Sequence, residues 1–128
     1  MPNKKVIIAG WDEKYTNNLR SILEKEHYSP ILVSSISDAK AQLDRDFFQV
    51  MVIDLDQTAL DNRTLKELRK EYPVLGLIGL SSRRFHQELE EAMSRYIDAC
   101  FEKTEDYEDL LYWLKAVFDP PQTAKTAD

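Results

Sequence analysis

Residues 50–54 read Val50-Met51-Val52-Ile53-Asp54, four apolar side chains in unbroken succession closed by a carboxylate. A strand with one wet face alternates apolar and polar residues. A short unbroken run instead fits a strand covered on both faces, as in a parallel sheet flanked by helices. Asp54 then stands at the carboxyl end of its strand, the rim where open α/β sheets gather ligand and reaction sites. A carboxylate placed there can be a nucleophile, a metal ligand or a helix cap, and its neighbours decide between them.

The same kind of run recurs on either side. Val6 to Ala9 and Pro30 to Val33 precede it as strands, and Leu75 to Leu80 and Ala99 to Phe101 follow. Gly76 and Gly79 weaken the fourth strand's own preference and permit close packing. Between these strands apolar residues return at helical spacing. Tyr15, Leu19, Ile22 and Leu23 mark a helix from Asp12 to about Glu26. Ser37 is the expected cap of a second helix, with Ile36 stapled onto Ala41 and the helix ending near Phe47. Thr64-Leu65-Lys66-Glu67 has capping-box spacing and turns Leu65 and Leu68 inward; Pro73 ends that helix.

A fourth helix is expected from Phe85, Leu89, Ala92 and Met93. The fifth carries a stripe of Leu110, Leu111, Leu114, Val117 and Phe118, with Thr104 as cap and Glu105 and Asp106 in its first turn. Five strands alternating with five helices predict an α/β fold, a doubly wound parallel sheet with right-handed crossovers. The domain spans residues 1–119, and Pro120 to Asp128 is expected to be a flexible tail or linker.

Composition excludes several classes. At 128 residues the chain is one domain that buries about two-thirds of its unfolded surface. With 17 basic and 23 acidic residues the formal charge is −6, unsuited to non-specific nucleic-acid binding. No apolar stretch reaches the roughly 20 residues of a membrane span, and no signal-peptide pattern opens the chain. The single Cys100 forms no internal disulfide and suits a reducing cytoplasm; it is expected to be a small buried residue. His27 and His86 lack metal-ligand spacing and are expected on the surface, and Trp113 at the core margin.

Three polar residues stand at successive strand ends: Asp54 after the third, Ser81 after the fourth and Lys103 after the fifth. In this order, over residues 4–118, the chain resembles the receiver domain of two-component response regulators. The resemblance implies a flavodoxin-like, receiver topology with strand order 2-1-3-4-5. It implies that Asp54 is the phosphoacceptor, while Ser81 and Lys103 bind the phosphoryl group and act as its switch. It implies a sensor histidine kinase or another signalling protein as partner. It also implies a possible homodimer through the fourth helix, fifth strand and fifth helix. The expected protein is a signalling module rather than an enzyme, cytoplasmic, with neither nucleic acid nor membrane as partner.

The sequence departs from the family where receivers hold Mg²⁺. The adjacent acids at the end of the first strand are replaced by Gly10 and Trp11, with Asp12 one position late. Mg²⁺ leans on one or two carboxylates, so its binding is expected to be weak or absent, with no certain cofactor, and Trp11 to plug the emptied space. The usual Pro after the Lys is Thr104, and the switch aromatic three residues before it is Cys100. An atypical receiver follows, or a pseudo-receiver that binds partners without phosphate. In the latter Lys103 pairs statically with Asp54, and Ser81 and Ser82 cap the fourth helix.

Asp54-Leu55-Asp56-Gln57-Thr58 also resembles the opening motif of haloacid-dehalogenase-like phosphohydrolases. There Asp54 would be nucleophile and Asp56 general acid/base. Only 74 residues follow Asp54, too few for the further acid-bearing strand that family requires.

Overall fold

The four apolar residues of the Val50–Asp54 run point alternately into two cores. The computed structural model of the protein describes residues 4–10, 13–56, 60–82, 89–104 and 106–119. In it the strands are β1 (Lys5–Ala9), β2 (Ser29–Val33), β3 (Val50–Asp54), β4 (Gly76–Ser81) and β5 (Ala99–Glu102). They form one parallel sheet in the order β2-β1-β3-β4-β5. Ile7, Met51, Ile53 and Leu77 face a core with Ala39, Leu65, Leu68 and Ala92. Val6, Ile8, Val50, Val52, Ile78 and Leu80 face the other, with Leu19, Leu23, Leu110 and Leu114. A period of two sends alternate side chains to opposite faces, and both faces are covered, so no polar residue interrupts the run.

The helices are α1 (Glu13–Lys25), α2 (Ile36–Arg45), α3 (Asn62–Glu71), α4 (Glu90–Arg95) and α5 (Glu108–Phe118). Helices α1 and α5 cover one face, and α2, α3 and α4 the other. The predicted fold class and strand order hold. At the end of α1, His27 takes the left-handed conformation (φ 70°). The Tyr28 and His27 amides close back on the Leu23 and Glu24 carbonyls at 2.9 and 3.1 Å, a Schellman arrangement that turns the chain into β2. His27 is exposed and Trp113 packs partly buried at the core margin, both as expected.

Several local expectations are corrected. Ser35, not Ser37, caps α2: its extended backbone lets the side chain accept the Asp38 amide, which leaves Ile36 as the first helical residue rather than an outside staple. Asp61, not Thr64, caps α3 and accepts the Thr64 amide at 2.8 Å. Thr104 bonds to Asp106 in the preceding turn, so α5 begins at Glu108, whose amide donates to Asp106 Oδ1 at 3.0 Å, and Glu108 and Asp109 take the favourable acidic positions. Ser81 lies within β4, and the N-cap position of α4 (Glu90–Arg95) falls on Leu89, which makes no side-chain cap bond, so neither Ser81 nor Ser82 caps that helix. Cys100 is exposed, on β5, the edge strand of the sheet. The expected roles of Trp11, Asp12, Phe85, His86, Glu105 and the 120–128 tail lie outside the described residues.

Candidate functional site

Parallel pairing brings the ends of β3, β4 and β5 to one rim. Asp54 pairs in register with Leu80, and Ser81 with Glu102. The pairing runs one step past each strand: the Leu55 amide donates to the Leu80 carbonyl and the Lys103 amide to the Ser81 carbonyl, both at 2.8 Å. These bonds fix where the side chains of Asp54, Ser81 and Lys103 begin.

Lys103 Nζ lies 2.7 Å from Asp54 Oδ2 and 3.0 Å from Asp56 Oδ2. Asp54 Oδ1 accepts the Asp56 amide at 2.9 Å, tying the two acids into one turn. Asp56 in turn receives the Ser82 amide, at 3.0 Å on Oδ2 and 3.3 Å on Oδ1, and the Ser81 hydroxyl at 3.4 Å on Oδ1. The ammonium also sits 5.6 Å from the Tyr15 ring centroid, a cation–π distance, and that ring packs against Tyr107. The three residues singled out in the sequence therefore converge, with Asp54 on Lys103 directly and Ser81 reaching them through Asp56. Asp56 also belongs to the cluster, a residue that the sequence marks only as the second acid of the hydrolase-like motif. Its signal was the two-residue spacing from Asp54, which the turn after β3 folds back over the rim.

The charge pattern follows from this packing. Burial alone pushes the Asp56 carboxyl up, but the bonds from Lys103 and Ser82 outweigh it and hold the group below its ordinary 3.8. Burial pulls Lys103 down, while its bonds to Asp54 and Asp56 outweigh that and hold it above 10.5. A depressed acid stabilises the fold above its unfolded pKa, and that contribution is lost as pH falls through the folded value. A raised base stabilises below its unfolded pKa, and that is lost as pH rises through the folded value. Urea midpoints are thus expected to fall below about pH 4 and above about pH 10.5. Asp56→Asn should flatten the acid limb and Lys103→Met the alkaline limb; unchanged limbs would contradict the pairing.

Among the described residues the donor set does not fit the magnesium ion that the resemblance implies. Gly10 offers no side-chain oxygen, and a Cβ there would lie 2.7 Å from Thr16 Cγ2 and 3.5 Å from Asp54 Cβ. Both Asp54 oxygens are already engaged, by the Asp56 amide and by Lys103. Among the described residues no group of three His, Cys, Asp or Glu side chains could hold a metal ion. Nor, among those residues, is any helix long and apolar enough to cross a membrane.

No protein-family model matches the sequence, and no curated protein matches it either. Solved structures do. A response regulator receiver domain protein from Methanospirillum hungatei superposes with a TM-score of 0.80 at 20% identity, covering 92% of this chain and 95% of its own. The signal receiver domain of an HD domain-containing protein from Pseudomonas fluorescens gives 0.81 at 17%, covering 92% and 96%. The receiver domain of a sensor histidine kinase from Pseudomonas aeruginosa, with magnesium coordinated in its active-site cleft, gives 0.77 at 14%, covering 91% and 98%. The chain has the receiver fold.

Proposed function

We propose that this protein is an atypical receiver module of a two-component phosphorelay, with Asp54 accepting a phosphoryl group from a phosphohistidine of a partner kinase. The single observation carrying this reading is the Asp54–Lys103 pair, 2.7 Å apart at the carboxyl rim with side chains only 7% and 10% exposed. In the transfer an Asp54 oxygen bonds to phosphorus as the P–N bond of the donor breaks. The released imidazole nitrogen takes a proton from solvent, and an acyl phosphate remains. The arriving group carries about two negative charges, which an ammonium and a hydroxyl meet with charge-assisted hydrogen bonds. The Lys103 ammonium is the positive charge this chain supplies at that point.

The module would then work by altered surface contacts, through loops joined directly to β4 and β5. A cytoplasmic location and a self-association face over α4, β5 and α5 belong to this proposal. A second reading, a pseudo-receiver that docks its partner without phosphate, is favoured by the engagement of Lys103 with two carboxylates at once.

Intact mass after incubation with phosphoramidate and magnesium tests the first reading. One labile phosphoryl adduct is expected on the wild-type chain and none on Asp54→Asn. An adduct that survives in Asp54→Asn would remove Asp54 from its role, and a wild-type chain with no adduct would leave the pseudo-receiver.

A further inference from the structure

We propose that the Asp56 carboxylate is the resident ligand of this site's anion seat, an internal stand-in that a phosphoryl group must displace. The inference rests on the reading of the site as phosphoryl-binding and specifies how that site is controlled.

Among the described residues, three kinds of donor from two segments, the ends of β4 and β5, converge on Asp56: the Lys103 ammonium at 3.0 Å, the Ser82 amide at 3.0 and 3.3 Å and the Ser81 hydroxyl at 3.4 Å. Such a mixed set suits an oxyanion, whose several oxygens each need a donor. Two of these groups, Lys103 and Ser81, are those the phosphoryl reading assigns to the transferred group. Here they are spent on a side chain two residues from the acceptor.

The arrangement is held together and yet reversible. The bond from the Asp56 amide to Asp54 Oδ1 keeps the stand-in beside the acceptor, and Lys103 bridges both carboxylates. The Asp56 side chain is 24% exposed against 7% for Asp54, so it can swing outward while Asp54 stays packed. A tethered carboxylate competes at an effective concentration in the millimolar range or above, enough to exclude dilute free anions. A phosphoryl group bound to Asp54 is tethered too and brings about twice the charge, so it can displace the carboxylate. Without phosphate, β4 and β5 are already drawn together at the rim by an anion of the chain's own.

Titration of the full chain, labelled with nitrogen-15, distinguishes the outcomes. Two probes are used in magnesium buffer: beryllofluoride, which must bond to an Asp54 oxygen, and inorganic phosphate, which need not. Asp56→Asn and Asp56→Ser should each bind both probes about tenfold or more tighter than wild type, as expected when a seat that was mostly filled is vacated. The Ser82 amide should shift on saturation. Asp54→Asn/Asp56→Asn should lose beryllofluoride and keep phosphate.

The control is Glu102→Gln, which removes one charge from an exposed residue beside Lys103. Because surface charge is screened, it should change binding by less than about twofold. Equal affinities in wild type and both Asp56 variants, or an equal gain in Glu102→Gln, would overturn the inference. If phosphate gains but beryllofluoride binds no variant, the seat stands and the Asp54 acceptor reading falls. If beryllofluoride binds wild type and both variants alike, the acceptor reading stands and the seat falls.

Discussion

Lys103→Met lowers the unfolding free energy by about 3 kcal/mol, the lower end of what is lost when one partner of a buried ion pair is removed. Two carboxylates depend on this ammonium, at 2.7 and 3.0 Å. Asp54 is packed at 7% exposure and cannot turn to water, so its charge would remain without its cation. Asp56, at 24%, can hydrate, and this keeps the loss from reaching the top of the range. Methionine preserves the length of the stem, which separates the charge from the packing. Urea unfolding at neutral pH measures the loss. Adding Asp54→Asn and Asp56→Asn to Lys103→Met should recover most of it, because no uncompensated charge then stays behind. A loss below about 1 kcal/mol would place the cluster with ordinary surface pairs, whose charges are screened.

Gly79→Val is the second large effect, a destabilisation of about 3 kcal/mol from overpacking. A Cβ at Gly79 would stand 2.6 Å from Leu55 Cδ1, 3.0 Å from Leu55 Cγ and 3.3 Å from Cys100 Sγ. Leu55 is 1% exposed and has nowhere to retreat. It also joins Asp54 to Asp56, so a displaced Leu55 disturbs the acid pair from beneath. Leu55→Ala alone opens a cavity and costs about 2–5 kcal/mol. The double variant should cost at least about 1 kcal/mol less than the sum of the two, because each change relieves the other. Strict additivity in urea unfolding would show that the two residues do not share that space.

How much could be read in advance varies from element to element. The alternation of apolar runs gave the order and type of every strand, and Val50–Asp54 was legible to its last residue. Helix caps were less so. Ser34, Ser35 and Ser37 are all chemically able to cap α2, and the choice fell to Ser35 through its extended backbone and its bond to the Asp38 amide. Asp61 prevailed over Thr64 for the same reason. Cys100 has the composition of a core residue, and its exposure comes from the edge position of β5.

The sequence by itself determined a parallel sheet with two cores and the strand ends that carry Asp54, Ser81 and Lys103. These follow from side-chain periodicity, a local property of each segment. Only the tertiary structure decided that Lys103 would bridge two acids and that Asp56 would gather donors from the ends of β4 and β5. Those distances depend on register between strands and on how the turn after β3 folds back, and residues far apart in the chain set both.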